Sequence, residues 1–262
     1  MRPVIALLTD FGTRDHYVGA MRGVMLGICP EASIVDITHE IDPQDVLGGA
    51  LQLAATFRYF PPGTVFLSVV DPGVGSARKS LAAEAGGYRF VAPDNGLLTL
   101  VFRDTAPRIV VEVTERRYAR PTISRTFEGR DRFAPAAAWL AMGTELTALG
   151  RSLTSWQRLN VPTPTVTERE ILGHVIGVDR FGNLVTNIAR HSVEGLRDAG
   201  QIEITAAGHR IDHLVDTYAE AEAGSTCALV GSSDYLEIAV IAGSAAARLG
   251  VGRGASVTLT RR

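Results

Sequence analysis

Short apolar runs alternate with amphipathic segments over roughly the first 160 residues of the chain. Continuous apolar runs that end in Gly, Pro or Asp are typical of strands buried on both faces, and longer segments with helical spacing are typical of helices. The pattern predicts strands at Val4–Thr9, Ile34–Ile37, Thr64–Val70, Arg89–Ala92 and Ile109–Val113, and helices at Tyr17–Cys29, Pro43–Tyr59, Gly96–Phe102 and Arg132–Met142. Strands that alternate with helices predict an α/β domain with a mainly parallel sheet.

The pattern changes at Val161-Pro162-Thr163-Pro164-Thr165, where proline and threonine occur without apolar periodicity. Such a composition is typical of a linker, which we place at residues 161–170. Shorter apolar runs separated by Gly, Asp and Ser follow at Leu172–Val178, Leu184–Ile188, Gln201–Ile204, Arg210–Leu214, Thr226–Val230, Leu236–Ile241 and Ala255–Leu259. They predict a small all-β, barrel-like C-terminal domain over residues 171–262, after an α/β N-terminal domain over residues 1–160.

Composition narrows the possible partners. The chain has 262 residues, of which 46% are hydrophobic and 21% charged, so it can bury a sizeable core. Its net charge of −2 argues against nucleic acid or an anionic membrane as partner. Lys79 is the only lysine, which argues against Schiff-base chemistry. The two cysteines are far apart in the sequence, and the N-terminal apolar run is too short for a signal peptide. No apolar stretch is long enough to span a membrane, so we expect a cytoplasmic protein.

Three aspartates follow predicted strands of the α/β domain, namely Asp10, Asp71 and Asp94. Open α/β sheets bind ligands at the carboxyl ends of their strands, where an aspartate can hold a ribose diol or orient a water molecule. Aspartate before Gly or Pro is also typical of an ordinary turn, so the residues alone leave both interpretations open.

Two loops of this domain could carry chemistry. Asp71-Pro72-Gly73-Val74-Gly75 is followed by Arg78, which is near enough to pair with Asp71 and keep it ionised, although a surface ion pair would have the same spacing. The loop matches neither GxGxxG nor a Walker A motif. The run from Thr126 to Asp131 precedes a helix and could offer free N–H groups to a ligand or simply cap that helix.

The second half offers two polar turns. In Asp179-Arg180-Phe181-Gly182-Asn183, Asp can bind an ammonium, Phe can stack and Asn can hydrogen-bond an adenine edge, but a hairpin explains the run equally well. Gly231-Ser232-Ser233-Asp234-Tyr235 could bind a carboxylate or be a plain loop. The six histidines have no metal-ligand spacing and no GxSxG is present, so we expect neither a metal site nor a serine hydrolase.

Taken in order, these motifs resemble the S-adenosylmethionine hydroxide adenosyltransferases, also called S-adenosylmethionine hydrolases, which are relatives of the fluorinases and chlorinases. The resemblance runs almost end to end. It is carried by Leu8-Thr9-Asp10-Phe11-Gly12, Asp15-x-Tyr17-Val18-Gly19, Ile34-Val35-Asp36-Ile37-Thr38-His39, Val69-Val70-Asp71-Pro72-Gly73-Val74-Gly75, Pro93-Asp94-Asn95-Gly96, Thr126-Phe127-x-Gly129-Arg130-Asp131, Asp179-Arg180-Phe181-Gly182-Asn183 and Leu236-Glu237-Ile238-Ala239.

The resemblance implies hydrolysis of S-adenosyl-L-methionine to adenosine and L-methionine by in-line attack of water on the ribose 5′ carbon, with no metal or cofactor. It implies a homotrimer with each site between subunits. Asp71 and Arg78 match residues that handle the water, and Asp10 matches the residue that holds the ribose diol. The other implied substrate-binding positions are Thr126 and Phe127; Phe181, Asn183 and Tyr218 for adenine; Asp179 for the ammonium; Ser232 and Ser233 for the carboxylate; and Val240 and Ala242 near adenine.

One catalytic position departs from the family pattern, which reads Thr-Phe-His-Gly-Arg-Asp, because this chain has Glu128 in place of the histidine. Glu128 could take over as the proton acceptor, or the protein could be a non-catalytic binder of adenosine or S-adenosylmethionine. Asp234 also stands where a glycine is usual, which could affect methionine binding. A halide-using adenosyltransferase is the third alternative; we expect Asp71 and Glu128 to repel a halide, and Gly129 replaces a halide-contacting serine of the fluorinase.

Overall fold

The protein is described by a computed structural model that covers residues 2–262, and its chain forms two compact units, one ending at Leu159 and one beginning at Asn160. Within the described residues, no helix is both long enough and apolar enough to cross a lipid bilayer.

The first unit is built on a seven-stranded sheet. Its strands are β1 (Val4–Thr9), β2 (Ser33–Thr38), β3 (Val65–Val69), β4 (Ser80–Ala85), β5 (Tyr88–Pro93), β6 (Pro107–Val113) and β7 (Gly150–Ser152), in the order β2-β1-β3-β5-β4-β6-β7. The first four strands of that order are parallel to one another. The next three, β4, β6 and β7, each pair antiparallel with the strand before them in the order. The helices are α1 (Tyr17–Ile28), α2 (Val46–Thr56), α3 (Thr99–Asp104) and α4 (Ala134–Ala141).

Helices cover both faces of this sheet because side chains alternate along each strand. Ile5 and Leu7 of β1 are fully buried in a cluster with residues of α1 and α4. Leu8 points the other way, towards α2, where a Cβ on Gly49 would lie 3.6 Å from its Cδ2 atom and only 2.9 Å from Leu97. Glycine at position 49 therefore allows α2 to pack closely on the sheet.

The second unit is a nearly closed, barrel-like sheet. Its strands are β8 (Thr165–Val166), β9 (Glu170–Val178), β10 (Leu184–Ala189), β11 (Ile202–Ala206), β12 (His209–Ile211), β13 (His213–Leu214), β14 (Thr226–Val230), β15 (Tyr235–Val240) and β16 (Ser256–Arg261). They follow the order β12-β11-β16-β9-β10-β15-β14-β13, with β8 beside β9. Two helices, α5 (Arg190–Asp198) and α6 (Ala245–Leu249), accompany the sheet.

The prediction of an α/β region followed by a barrel-like β region is confirmed in outline, with differences in detail. Strand β4 was not predicted from the sequence, because this segment has no β-branched residues. It forms a strand because it pairs with β5 on one side and β6 on the other. The second region is not all-β, since it contains α5, which buries only Val193 and Leu196 and is otherwise polar. The predicted linker includes strand β8, which pairs with β9.

Candidate active site

Asp10 and Asp71 lie at the same edge of the first sheet. Strands β1 and β3 are parallel neighbours, and Thr9 is paired in register with Val69. Asp10 follows Thr9 directly, and Asp71 comes two residues after Val69. The carboxyl ends of these strands therefore bring the two carboxylates to the position where open α/β sheets bind ligands.

Arg78 forms a multiply hydrogen-bonded ion pair with Asp71 across the glycine-containing loop. Its Nε donates to Asp71 Oδ1 at 2.9 Å and to Oδ2 at 3.0 Å, and its Nη2 also donates to Oδ2. The side chains of Asp71 and Arg78 are only 5% and 10% exposed, so this is a largely buried pair and not the surface ion pair that the spacing also allowed. Gly75 has φ +77°, and a Cβ there would lie 2.5 Å from the Arg125 carbonyl oxygen, so the loop requires glycine.

Glu128 joins the same guanidinium group. Arg78 Nη2 donates to Glu128 Oε2, and Arg132 Nε lies 3.6 Å from Glu128 Oε1. From the sequence, Arg78 was expected to pair with Asp71 only; in the structure Glu128 is paired with arginines as well. Two carboxylates and two guanidinium groups therefore balance to zero net charge in this cluster.

Each of the three nitrogens of Arg78 donates to two protein acceptors. Besides the two carboxylates, Nη1 donates to Ser80 Oγ at 3.2 Å and to the Lys79 carbonyl at 3.4 Å. The guanidinium carbon lies 5.1 Å from the centre of the Phe133 ring. Burial would lower the pKa of Arg78, but its bonds and charge contacts with Asp71 and Glu128 outweigh that effect and raise it. Arg78 is thus a fixed cation whose donors are all in use.

The segment before α4 holds Glu128 in place. Residues Gly129–Phe133 form a π-helical turn that leads into α4. Asp131 is fully buried and accepts hydrogen bonds from the Ser124 backbone N–H at 2.9 Å and from Arg130 at 2.7 and 2.8 Å. Burial would raise the pKa of Asp131, but these bonds hold it below its ordinary value. The run from Thr126 to Asp131 is therefore anchored from inside.

The two predicted ligand residues of this run differ in exposure. Thr126 is exposed, and its hydroxyl lies 3.2 Å from Ser124 Oγ. The ring of Phe127 is buried and packs edge-on against Phe11 and Tyr17, with the Arg130 guanidinium 4.9 Å from its centre. Phe127 thus supports the aromatic cluster beside the strand ends.

The other two strand-end aspartates have different partners. Asp10 Oδ2 accepts a hydrogen bond from the Gln44 backbone N–H at 2.8 Å, which leaves Oδ1 without a partner from that segment. Asp94 is buried, and its Oδ1 accepts from the Gln157 backbone N–H at 2.7 Å. Asp94 therefore fixes the backbone near residue 157. Of the two interpretations that the sequence left open, a ligand-binding residue or an ordinary structural turn, the structural one fits Asp94.

In the second unit, Asp179 and Asn183 form a closed hydrogen-bonded turn between β9 and β10. Asp179 Oδ1 accepts from the backbone N–H groups of Phe181 at 2.9 Å and Asn183 at 2.8 Å, and Oδ2 accepts from Asn183 Nδ2 at 2.8 Å. The turn leaves the Phe181 ring 78% exposed. Gly182 is required because a Cβ there would lie 2.0 Å from Ser244 Oγ.

A buried acid that the sequence analysis did not single out lies beneath the neighbouring loop. Glu237 of β15 accepts a hydrogen bond from the Tyr218 hydroxyl at 3.0 Å, and a Cβ on Gly231 would lie 1.9 Å from its Oε1. Burial and the nearby Asp179 carboxylate raise the pKa of Glu237 above its ordinary value. Burial and the charge of Glu237 also raise the pKa of Tyr218. A charged residue inside the apolar strand Tyr235–Val240 was the available signal.

The remaining predicted positions flank β15, with Ser232, Ser233 and Asp234 before the strand and Val240 and Ala242 at its other end. Ser232 is exposed and Ser233 half-buried in the tight turn before β15. Asp234 has φ +62°, which explains why glycine suits this position, and its carboxylate accepts from Arg190 Nε at 2.7 Å. Val240 is buried, and Ala242 follows with φ +56° in a turn that Gly243 closes by donating to the Val240 carbonyl.

No group of three His, Cys, Asp or Glu side chains within residues 2–262 is arranged to hold a metal ion. Three cavities of the second unit, among them the one bordered by Val193, Leu214 and Val230, are lined by residues other than the predicted ligand positions.

Comparisons with known proteins agree along the whole chain. The SAM hydroxide adenosyltransferase N-terminal domain model matches residues 5–150, and the corresponding C-terminal domain model matches residues 173–258. A Thermus thermophilus protein named (R)-S-adenosyl-L-methionine hydrolase is 38% identical, over 99% of this chain and 100% of its own length. A fluorinase from an Actinoplanes species is 32% identical, over 99% of this chain and 98% of its own length.

The fold is shared as well. The crystal structure of an uncharacterized conserved protein from Thermotoga maritima superposes with a TM-score of 0.92 at 36% identity, over 98% of this chain and 100% of the other. The resemblance drawn from the motifs is therefore confirmed, and the chain belongs to the SAM hydroxide adenosyltransferase family.

Proposed function

We propose that the protein hydrolyses S-adenosyl-L-methionine to adenosine and L-methionine, and that its substrate is the (R) sulfonium epimer named for the Thermus relative. The observation that carries this proposal is the cluster of Asp71, Arg78 and Glu128 at the carboxyl edge of the parallel strands. It supplies a carboxylate that a buried guanidinium group holds in one orientation, which is what the positioning of an attacking water requires.

The chemical step is a single displacement. The water oxygen forms a bond to the ribose 5′ carbon as the bond from that carbon to sulfur breaks. The electron pair of the broken bond stays on sulfur, so the sulfonium becomes the neutral thioether of methionine. The water loses one proton, which Asp71 accepts and passes to solvent. Because the leaving group is already activated by its positive charge, no acid has to protonate it.

Arg78 acts on the nucleophile only through Asp71. Each of its three nitrogens already donates to protein acceptors, so its hydrogen bonds are committed to the protein and not to the water. Glu128 accepts from the same Nη2 atom that donates to Asp71, which helps to fix the guanidinium and with it the direction of the Asp71 carboxylate. Glu128 itself is the second candidate for the proton acceptor, the role that the sequence suggested for it.

We place the substrate on residues of both units. Asp10 takes the ribose diol with its free Oδ1, beside Thr126 and the Phe127 aromatic cluster. Asp179 takes the ammonium, and Ser232 and Ser233 take the carboxylate. The adenine ring lies among Phe181, Asn183, Tyr218, Val240 and Ala242. The exposure of Phe181 and Tyr218 supports the further proposal that a homotrimer completes each site from two subunits. This reaction calls for neither metal nor cofactor, and we place the protein in the cytoplasm.

Halide transfer is the second candidate, because fluorinases are among the relatives. The simple repulsion expected from Asp71 and Glu128 is offset by Arg78 and Arg132. The stronger argument is that a desolvated halide needs free N–H or O–H donors, and Arg78 has none to give. A Cβ on Gly129 would meet Met21 and Phe11 at 3.4–3.5 Å, so a serine would fit there and the glycine is not imposed by space.

The test is to incubate the purified protein with each epimer of S-adenosylmethionine, with and without chloride, and to separate the nucleosides by chromatography. We expect adenosine and methionine in equal amounts from the (R) epimer, and no product from the Asp71→Ala variant, which should still bind substrate. Asp94→Ala serves as the control, because that aspartate has a structural role at the same sheet edge. A chlorinated nucleoside would establish halide transfer, and binding without turnover would establish a non-catalytic binder.

A further inference from the structure

A polar chain that the proposed reaction does not use runs from the exposed pair of Arg22 and Asp36 to the buried side chains of His39 and Thr9. The Thr9 hydroxyl is 2.8 Å from His39 Nδ1. Thr9 is fully buried, and His39 is only 4% exposed. On the other side of the imidazole ring, Nε2 lies 3.1 Å from Asp36 Oδ1, close but without hydrogen-bond alignment. Arg22 of α1 contacts the other oxygen of Asp36.

The contacts set the direction of this chain. Burial alone would raise the pKa of Asp36, but its contacts with Arg22 and His39 hold it below its ordinary value, so the group is a carboxylate. With a neutral imidazole, the nearby Asp36 carboxylate favours the tautomer that carries its proton on Nε2, so that Nδ1 accepts and the Thr9 hydroxyl donates to it. Its oxygen is free to accept the Phe11 backbone N–H, at 3.2 Å.

The chain ends in the loop that carries Asp10. Thr9 precedes Asp10 and Phe11 follows it, so the Thr9 hydroxyl bonds across the aspartate. The His39 carbonyl also accepts the Gly12 N–H at 2.7 Å. Gln44, which donates to Asp10, adopts φ +69°, a conformation that a non-glycine residue holds only when its surroundings impose it.

We infer that His39 is a positioning residue for the ribose, acting through Thr9 to fix the Asp10 backbone and thereby aim the free oxygen of its carboxylate. The inference rests on the proposed function, since it takes Asp10 as the ribose ligand. His39 touches no substrate in this account. Its effect is confined to the nucleoside end, so adenosine binding should depend on it and methionine binding should not.

The first test compares Thr9→Val with Thr9→Ser. Valine keeps the shape of threonine and removes only the hydroxyl, whereas serine keeps the hydroxyl. We expect Thr9→Val to weaken adenosine binding, measured by calorimetry, about tenfold, which is the usual effect of losing one buried hydrogen bond. Thr9→Ser should stay within about twofold of the native protein. Inhibition of hydrolysis by methionine should be unchanged in both.

The second test uses two amides at position 39. Asparagine places its amide oxygen near the position of Nδ1 and can accept from Thr9, whereas glutamine reaches the Nε2 position and leaves Thr9 without an acceptor. We expect His39→Asn to keep adenosine affinity and a native KM, and His39→Gln to raise both the adenosine Kd and the KM about tenfold with kcat nearly unchanged. Combined with Thr9→Val, His39→Gln should add little, because both remove the same bond.

Each outcome decides the matter. Equal adenosine affinity in Thr9→Val and Thr9→Ser, or in the two His39 variants, would overturn the inference while leaving the proposed function standing. Losses that add in the double variant, or that affect methionine as much as adenosine, would show a general packing role and also overturn it. A native protein that neither binds adenosine nor releases it from S-adenosylmethionine would overturn the proposed function instead.

Discussion

Replacement of Arg78 by alanine is the sharpest test of the cluster. The substitution removes the one group that both carboxylates share. In the native structure the side chains of Asp71 and Glu128 are only 5% and 15% exposed, so the variant would leave two carboxylates largely buried without this partner. At an effective dielectric of about 20, two unit charges about 4 Å apart interact by about 4 kcal/mol, and desolvation offsets part of this. Breaking a buried pair from one side typically costs about 3–5 kcal/mol.

We take the lower end of that range for Arg78→Ala, about 3 kcal/mol, because Arg132 still lies 3.6 Å from Glu128 and water can reach that carboxylate. For a unit of this size, each kcal/mol shifts Tm by roughly 2–4 °C, so we expect a fall of about 6–12 °C. Differential scanning calorimetry measures it. Chromatography of the released adenosine should show hydrolysis reduced at least about a hundredfold, since the Asp71 carboxylate is no longer held.

Three further variants separate the causes. Arg78→Lys keeps the charge but reaches only one carboxylate, so it should regain part of the stability and little of the activity. Arg78→Ala combined with Glu128→Gln should melt higher than Arg78→Ala alone, because one unpaired charge is gone. Arg108→Ala is the matched control: Arg108 also forms a two-pronged bond, to Glu84, but it is 71% exposed, and its loss should leave Tm unchanged.

The reasoning would be refuted if Arg78→Ala melted no lower than Arg108→Ala, because burial of the pair would then have no energetic consequence. Full activity in Arg78→Lys would equally contradict the claim that the forked geometry, and not the charge alone, holds Asp71.

Other predictions follow from single contacts. Glu128→His should raise the rate of adenosine release if Glu128 is a weaker substitute for the family histidine, and a clear loss of rate would show that Glu128 has a role of its own. Because the pKa of Glu237 is raised on folding, its stabilising effect is present at pH values below the unfolded pKa and is lost as the pH rises through the folded pKa. The Tm of Glu237→Gln, measured by calorimetry, should therefore rise relative to that of the native protein as the pH increases above the ordinary glutamate pKa of about 4.3; a difference in Tm that stays constant with pH would contradict this. Asp94→Ala should lower the free energy of unfolding by about 1–3 kcal/mol in a denaturant titration, because the Gln157 N–H loses its acceptor, and leave kcat unchanged.

The sequence predicted those parts of the fold that local pattern dictates. Strand Val4–Thr9 was predicted with its observed limits, because a short continuous apolar run that ends at a polar residue is typical of a buried strand. Ser80–Ala85 was missed because alanine and serine are weak strand formers, and only pairing on both sides makes the segment a strand. Helix α5 was missed because it is short and its buried face consists of only two apolar residues, Val193 and Leu196.

The candidate site shows the same division. The pairing of Asp71 with Arg78 was accessible from a separation of seven residues within one loop. The bond from Arg78 to Glu128 spans fifty residues, and no local pattern reports it. Glu237 was missed for a related reason, since its significance comes from Tyr218 and the Gly231 loop, which only the barrel-like sheet brings to it.

The turn at Asp179 restricts the direction from which a cation can approach it. A carboxylate offers about four acceptor directions, and three N–H groups of the turn already occupy three of them. In the proposed binding mode, the substrate ammonium would therefore reach Asp179 along one line, at Oδ2, and not over a diffuse negative surface. The hydrogen bonds that close the turn thus also set the angle at which its ligand must enter.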